Sequence, residues 1–371
     1  MAKNNTKGVP SKTQNAVSRP SNNSAELPAE IAQRLAYADA IVGHERTADG
    51  QNVPISAAQM GHLVAERFGQ VGFMWTKTFQ DYRLAHAMGP VLAQMKQGLD
   101  EISCNYLDNH EMLLDFAVHN AACLVSKDVL WTPEDRKLLA HNQQMVAAGN
   151  PPFLKQVNLD WSSSYTNLYG MYDLPQTVLQ RVNGKAVIDG GGFIGDTLTL
   201  FCNLFPQSVS YSFEPMAGAY EYLTNLLKEQ IAQGKIKPFQ LALGKDPGTI
   251  RLSRAHQGID AAASTHIDYH NQELYEEAQV VTIDNFVAEH SLEVGLIKLD
   301  VEGAEPEIIQ GALNTIKSQK PLLIIAWYHT PEEFYELKPY LESLNLGYKF
   351  KVRRSSLALP LTDTVLIAYQ E

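Results

Sequence analysis

Beyond Gly184 the chain alternates short apolar runs with stretches of helical spacing, and this alternation restricts the fold more than any other feature. The runs are Ala186–Asp189, Val209–Glu214, Ile236–Leu243, Val280–Ile283, Leu296–Asp300 and Leu322–Tyr328, followed by two near Tyr348–Val352 and Thr364–Tyr369. Apolar runs too short for helices, alternating with amphipathic segments, build a mostly parallel sheet covered on both faces. The last two runs are joined through the Pro360 region without an obvious helix, so an antiparallel edge is expected there.

The N-terminal part reads differently. A chain of 371 residues, 45% of them apolar, has room for two folded regions. Residues 1–26 are rich in Asn, Ser, Lys and Pro, hold no acid before Glu26, and lack the apolar side chains that offset the entropy of ordering, so they read as a disordered tail. Residues 27–150 read as an all-helical region. Ser56 is an N-cap candidate ahead of an apolar face of Met60, Leu63, Val64 and Phe68. Another helix starts at Thr132, with Pro133 in its first turn and Glu134 and Asp135 at its positive end; Leu138, Leu139, Met145 and Val146 share a face and Gly149 ends it. Asn150, Pro151 and Pro152 break the pattern, which makes 151–183 a linker and lead-in segment and 184–371 the α/β domain.

A formal charge of −11 argues against nucleic acid or anionic lipid as a partner. No apolar run approaches the roughly 18 residues that span a bilayer. Cys104, Cys123 and Cys202 are odd in number, far apart and outside any metal-ligand spacing, which fits small buried side chains in a reducing, cytoplasmic compartment.

Val187, Ile188 and Asp189 lead into Gly190-Gly191-Gly192-Phe193-Ile194-Gly195-Asp196, a strand, a glycine turn and a helix start where backbone can approach a ligand closely. Gly190, Gly192 and Gly195 satisfy GxGxxG, which suits a nicotinamide dinucleotide as well as S-adenosylmethionine. Asp189 favours the second. A carboxylate at the strand tip repels a pyrophosphate and attracts the ammonium and sulfonium of S-adenosylmethionine. Glu214 closes the next strand, 24 positions after Gly190, where it can accept the ribose hydroxyls of either cofactor. Asp196 also suits a plain helix cap.

These runs resemble the FkbM family of S-adenosylmethionine-dependent methyltransferases. The likeness is carried by Asp189 to Thr197, by Phe213-Glu214-Pro215, by Val281 to Phe286, and most specifically by Ile297-Lys298-Leu299-Asp300-Val301-Glu302-Gly303-Ala304-Glu305. It covers roughly residues 165–371 and leaves 1–150 uncovered. The resemblance implies a class I methyltransferase fold, Rossmann-like with a mostly parallel seven-stranded sheet, and O-methylation of sugars, glycans or secondary metabolites. It places Asp189, Gly191 and Gly195 in the loop at the methionine part of the cofactor, Glu214 at the ribose, Asp300 beside the sulfonium, and Ala242 and Leu243 near the adenine, and Gly190, Asp196 and Pro215 are expected to bind the cofactor with them. Gly191 and Gly192 depart from the family's commoner turn, which carries Ala or Asn.

An alcohol that accepts a methyl group must lose its proton to a base within about 3 Å. His329, in Trp327-Tyr328-His329-Thr330 after one strand, is expected to be that base, with Asp300 on the neighbouring strand as alternative or orienting partner. Thr330, Pro331 and Glu333 make a capping box that pins the histidine. Glu302 and Glu305 can hold acceptor hydroxyls or, with Asp300, a divalent cation; the positive end of the helix beginning near Pro306 accounts for these acids without a ligand, so no metal is expected. Lys298 lies within an apolar strand and requires a carboxylate partner that the sequence does not name. The competing functions are an NAD(P)-dependent oxidoreductase and a methyltransferase-fold binding protein without turnover. The expected partner is a small-molecule or glycan acceptor, and the helical region is expected to shape its site or to form a homo-oligomer.

Overall fold

The computed structural model describes residues 43–46, 52–55, 68–71, 75–119, 123–148, 162–253, 275–357 and 361–371. The chain divides into two compact units, Met1–Glu66 and Arg67–Glu371. In the first, β1 (Gly43–Arg46) pairs antiparallel with β2 (Asn52–Ile55). The tail expected over 1–26, the linker break at 149–152, and Ser56, Met60, Leu63 and Val64 all lie outside the described residues. Phe68 does not end a helix: it opens β3 (Phe68–Val71), paired antiparallel with β4 (Cys123–Ser126), in a segment whose Gly69 disfavours helix.

After β3 the second unit holds helices α1 (Thr76–Ala85), α2 (Met88–Lys96), α3 (Glu101–His119), α4 (Lys127–Leu130) and α5 (Pro133–Ala147), so among the described residues the N-terminal region is helical apart from its short strand pairs. α5 starts as its sequence dictates, with Asp135 N–H donating to Thr132 Oγ and Thr132 N–H donating back to the Asp135 carboxylate. α3 buries Ser103, Tyr106, Leu107, His110 and Leu114, which share a face.

Three helical pieces lead into the α/β part: α6 (Ser162–Thr166), a 3-10 turn (Leu168–Gly170) and α7 (Gln176–Val182). Then follow β5 (Ala186–Gly190), α8 (Asp196–Leu204), β6 (Val209–Phe213), α9 (Ala217–Leu226), α10 (Lys228–Ala232), β7 (Ile236–Phe239), β8 (Ala242–Leu243), β9 (Gly248–Ser253), β10 (Tyr275–Val281), α11 (Ile283–Glu289), β11 (Val294–Leu299), α12 (Glu305–Gln310), α13 (Leu313–Gln319), β12 (Leu322–Ala326), α14 (Pro331–Ser343), β13 (Lys349–Arg354) and β14 (Thr364–Tyr369).

The main sheet has seven strands in the order β13-β14-β12-β11-β5-β6-β7. Its strands β12, β11, β5, β6 and β7 run parallel, and β14 is antiparallel to both β12 and β13, the edge that the Pro360 connection predicts. β5, β11, β12 and β14 are buried at every position, which is why they read as unbroken apolar runs. α3 covers the antiparallel edge: Val352 N–H donates to Ser103 Oγ at 2.9 Å, and the Tyr106 hydroxyl meets Thr364 Oγ1 at 2.5 Å. Residues of α1, α2 and α3 therefore share one hydrophobic core with the sheet.

Two strand expectations change. Ile236–Leu243 is not one strand: β7 ends at Phe239 on the sheet edge, where Pro238 costs no ladder bond, and β8 pairs instead with β10 in a separate three-stranded sheet, β8-β10-β9. The run at Val280–Ile283 belongs to that small sheet, begins earlier at Tyr275, and stops where Thr282 caps α11 by accepting from Asn285 N–H.

Candidate active site

Strand order in the main sheet reverses between β5 and β11, so their carboxyl ends part and leave a crevice. A cleft enclosing about 1130 Å³ of empty space, open solvent included, lies there. The glycine turn after β5 forms one lip. Gly191 has φ +77°, and a Cβ on it would meet the Asp300 carbonyl oxygen at 1.8 Å, so no other residue lets the turn lie against the end of β11.

Of the residues expected around a cofactor, Gly191, Asp196, Glu214, Pro215, Ala242, Leu243 and Asp300 line this cleft, together with Lys298 and Glu302. Asp189, Gly190, Gly195, Glu305 and His329 do not. Asp189 is the main correction. Its carboxylate is fully buried beneath the turn, where Oδ2 accepts from Ser212 Oγ at 2.8 Å and Oδ1 lies 3.3 Å from Lys298 Nζ. Cross-strand register sets this arrangement, because Asp189 sits opposite both Lys298 on β11 and Ser212 on β6. Lys298 thus finds the partner its buried position demands, and its ammonium also donates to Gly191 O at 2.8 Å and Gly190 O at 3.2 Å, bracing the turn. Burial pulls its pKa down, but Asp189, Asp300 and Asp196 outweigh that and raise it. The negative lip inferred at Asp189 is supplied instead by Asp196, Glu214, Asp300 and Glu302.

Glu214 is nearly buried, with Oε2 accepting from Phe193 N–H at 2.8 Å and Oε1 from Met216 N–H at 2.9 Å. Burial pushes its pKa up to about 7 against these two donors. One side of the cleft is apolar, lined by Met216, Ala242, Leu243, Ile250 and Leu252, and Phe193 of the glycine turn packs against it. β9, which brings Ile250 and Leu252, went unread because its outer positions are exposed and its apolar alternation is short.

Asp300 stands just beyond β11, partly open to the cleft. Tyr169 donates its hydroxyl to Asp300 Oδ2 at 2.9 Å, and His329 Nε2 lies 3.6 Å from Oδ1. Tyr169 is a site residue that sequence reasoning missed. It holds φ +54° inside the 3-10 turn, a left-handed conformation that costs a bulky residue about 1–2 kcal/mol and concentrates at functional sites.

His329 is buried behind Asp300, with four carboxylates around it: Asp300 and Glu302 on the Nε2 side, Glu305 (3.3 Å) and Glu333 (3.5 Å) on the Nδ1 side. Burial pulls its pKa down, but Glu305, Glu302 and Glu333 outweigh it and carry the ring well above its ordinary value. The capping box expected at Thr330 is half formed. Glu333 N–H donates to Thr330 Oγ1, while the Glu333 carboxylate reaches back to Tyr328 N–H at 2.7 Å. Glu305 is buried and accepts from Val301 and Gly303 N–H; burial raises its pKa, but His329, Glu333 and the Val301 N–H outweigh that and hold it below the usual carboxylate range.

The remaining wall comes from Ser164, Ser355, Ser356 and Asp363, none of which the sequence singled out. The helical region holds that wall. Arg353 donates to Asp100 and Asp173, and the Arg354 guanidinium lies 3.2 Å from Asp135 and over the Tyr106 and Trp131 rings.

Residues 189–350 match the family model described as the methyltransferase FkbM domain. That segment is thus similar to FkbM methyltransferase domains. The matched span includes the glycine turn, Glu214, Asp300 and His329 and ends inside β13. Among solved structures, the chain is similar to the methyltransferase FkbM from Methylobacillus flagellatus KT, at 18% identity and a TM-score of 0.42 over 69% of this chain and 60% of that one. The chain thus spans less than two thirds of that protein. It is also similar to a methyltransferase from Geobacter sulfurreducens (13% identity, 63% and 89% covered, TM-score 0.33). A third is Aeropyrum pernix fibrillarin in complex with natively bound S-adenosyl-L-methionine (15% identity, 56% and 73% covered, TM-score 0.33). No curated protein matches the chain. Among the described residues, no helix is long and apolar enough to cross a membrane.

Proposed function

We propose that the chain transfers a methyl group from S-adenosylmethionine to a hydroxyl oxygen of a small or glycan-like acceptor, with Asp300 as the general base. The observation that carries the proposal is the Asp300 carboxylate, placed in the cleft of an FkbM-like domain against the glycine turn and oriented by Tyr169. The residues fit the cofactor. The Gly191 turn leaves room that a Cβ would fill, Glu214 has lone pairs for ribose hydroxyls, the Met216 to Leu252 shelf suits an adenine, and the carboxylates attract an ammonium and a sulfonium. When bound, S-adenosylmethionine supplies an electrophilic methyl group.

The protein's part is alignment and proton removal. Asp300, which lines the cleft, takes the acceptor proton, whereas His329 is buried behind it and does not reach the cleft to act as the base. The serine-rich wall at Ser164, Ser355 and Ser356 offers hydrogen bonds to a polyhydroxylated acceptor, which gives the helical region its role of shaping that side of the cleft.

Calorimetry with S-adenosylmethionine and with NAD, followed by a methyl-release assay over hydroxylated acceptors, tests this reading. Binding of S-adenosylmethionine alone is expected, and Asp300→Asn should lower turnover at saturating cofactor by about 10²–10⁴-fold. NAD binding in its place, or unchanged turnover in Asp300→Asn, would sink the assignment.

A further inference from the structure

Asp300 Oδ1 and Glu302 Oε2 lie 3.6 and 3.8 Å from one atom, His329 Nε2. That nitrogen is buried and makes no hydrogen bond among the described residues. The separations are too long for hydrogen bonds. They come within about 0.2 Å of the spacing between ligands of one ion, because bonds of about 2.0–2.2 Å in tetrahedral geometry set ligand atoms about 3.3–3.6 Å apart. One oxygen from each carboxylate and the imidazole nitrogen all lie within 4.8 Å of one another.

We propose that Asp300, Glu302 and His329 form a binding site for a first-row divalent cation at the edge of the cleft. The rear of the imidazole is already arranged for ligation. Nδ1 faces Glu305 Oε1 at 3.3 Å, and Val301 and Gly303 N–H hold that carboxylate in place. A carboxylate behind a ligating histidine fixes its ring orientation and strengthens it as a donor. Entry and open coordination positions come from the front, because Asp300 and Glu302 both line the cleft. The neighbouring trio Glu305, His329 and Glu333 is wholly buried, and both its carboxylates already accept backbone N–H groups, so it serves as support rather than as a second site.

One imidazole with two carboxylates selects Mn²⁺, Fe²⁺ or Zn²⁺ over Ca²⁺ and Mg²⁺, which prefer oxygen alone. An acceptor hydroxyl in an open position would be held beside Asp300; only this last role rests on the methyltransferase reading.

Metal-stripped full-length protein is titrated with Mn²⁺ at mildly alkaline pH, free Mn²⁺ is counted by electron paramagnetic resonance, and S-adenosylmethionine binding is measured separately by calorimetry. One Mn²⁺ per chain is expected. Glu302→Gln and His329→Gln should weaken it by at least about 10–100-fold, the loss that supporting groups alone produce. Glu302→Gln sits on a partly exposed turn and decides the matter if His329→Gln does not fold. Absence of one-to-one Mn²⁺ binding, or unchanged binding in Glu302→Gln, overturns the site whether or not the cofactor binds. Mn²⁺ binding without any S-adenosylmethionine binding leaves the cation site standing and overturns the methyltransferase reading.

Discussion

Glu214 shows how a single buried group couples the cleft to pH. Its carboxyl is raised by burial from an ordinary 4.5 to about 7, against the donors Met216 and Phe193 N–H. Ribose hydroxyls donate to the ionised form, so S-adenosylmethionine should bind more tightly as pH rises through about 7, with proton release on binding below it. For stability the sign is opposite to that of a salt-bridged acid. The folded pKa lies above the unfolded one, so the contribution is complete below 4.5 and is lost as pH rises through about 7. Calorimetry in buffers of different ionisation enthalpy measures the proton count, and Glu214→Gln should flatten the pH dependence. Glu214 and Asp300 were legible because each ends an apolar run. Asp189 misled because its orientation depends on Lys298 and Ser212, which only the sheet order brings opposite. Tyr169 left no trace, since its contact with Asp300 spans 131 positions and a positive φ has no sequence signature in a tyrosine.

Among elements, the turn between β5 and α8 is the most sharply constrained. Gly191→Ala adds a strained φ worth about 1–2 kcal/mol and also drives the turn off the Asp300 carbonyl, so it should lower the melting temperature and abolish cofactor binding. Gly234→Ala is the control. Gly234 has φ +73° with nothing within 4 Å of the added Cβ, so it should carry the strain alone and leave binding intact. Equal binding in the two variants, read by calorimetry, would disprove the close-approach argument. The main-sheet strands were readable because complete burial turns them into apolar runs, as in β12 and β14. β8 was misassigned to the sheet because the break between Phe239 and Ala242 lies in tertiary pairing, which an apolar run does not record.

For the whole molecule, the second unit, Arg67–Glu371, contains its own core, and Trp75, Phe79, Tyr106, Leu107 and Trp131 belong to the cluster that packs on the sheet. Removing residues 1–66 should therefore leave a cooperative melt and cofactor binding, whereas removing 1–150 uncovers that cluster and should give an aggregating protein. Size-exclusion chromatography with thermal melts distinguishes the two, and a well-folded 151–371 fragment would contradict the shared core. The alternation of strands and helices made the α/β half visible in the sequence, but helices that cap a sheet edge leave no periodic sign of what they cover. The Arg353 and Arg354 anchors have a further consequence. The proposed donor seat draws on the ends of β5, β6, β8, β9 and β11, while the serine-lined wall follows β13, whose Arg353 and Arg354 are tied to Asp100 and Asp135 of the helical cap. If the proposed function holds, changes in that cap would retune which molecule is methylated while the grip on the methyl donor stays untouched, so acceptor choice and donor use would be free to diverge separately.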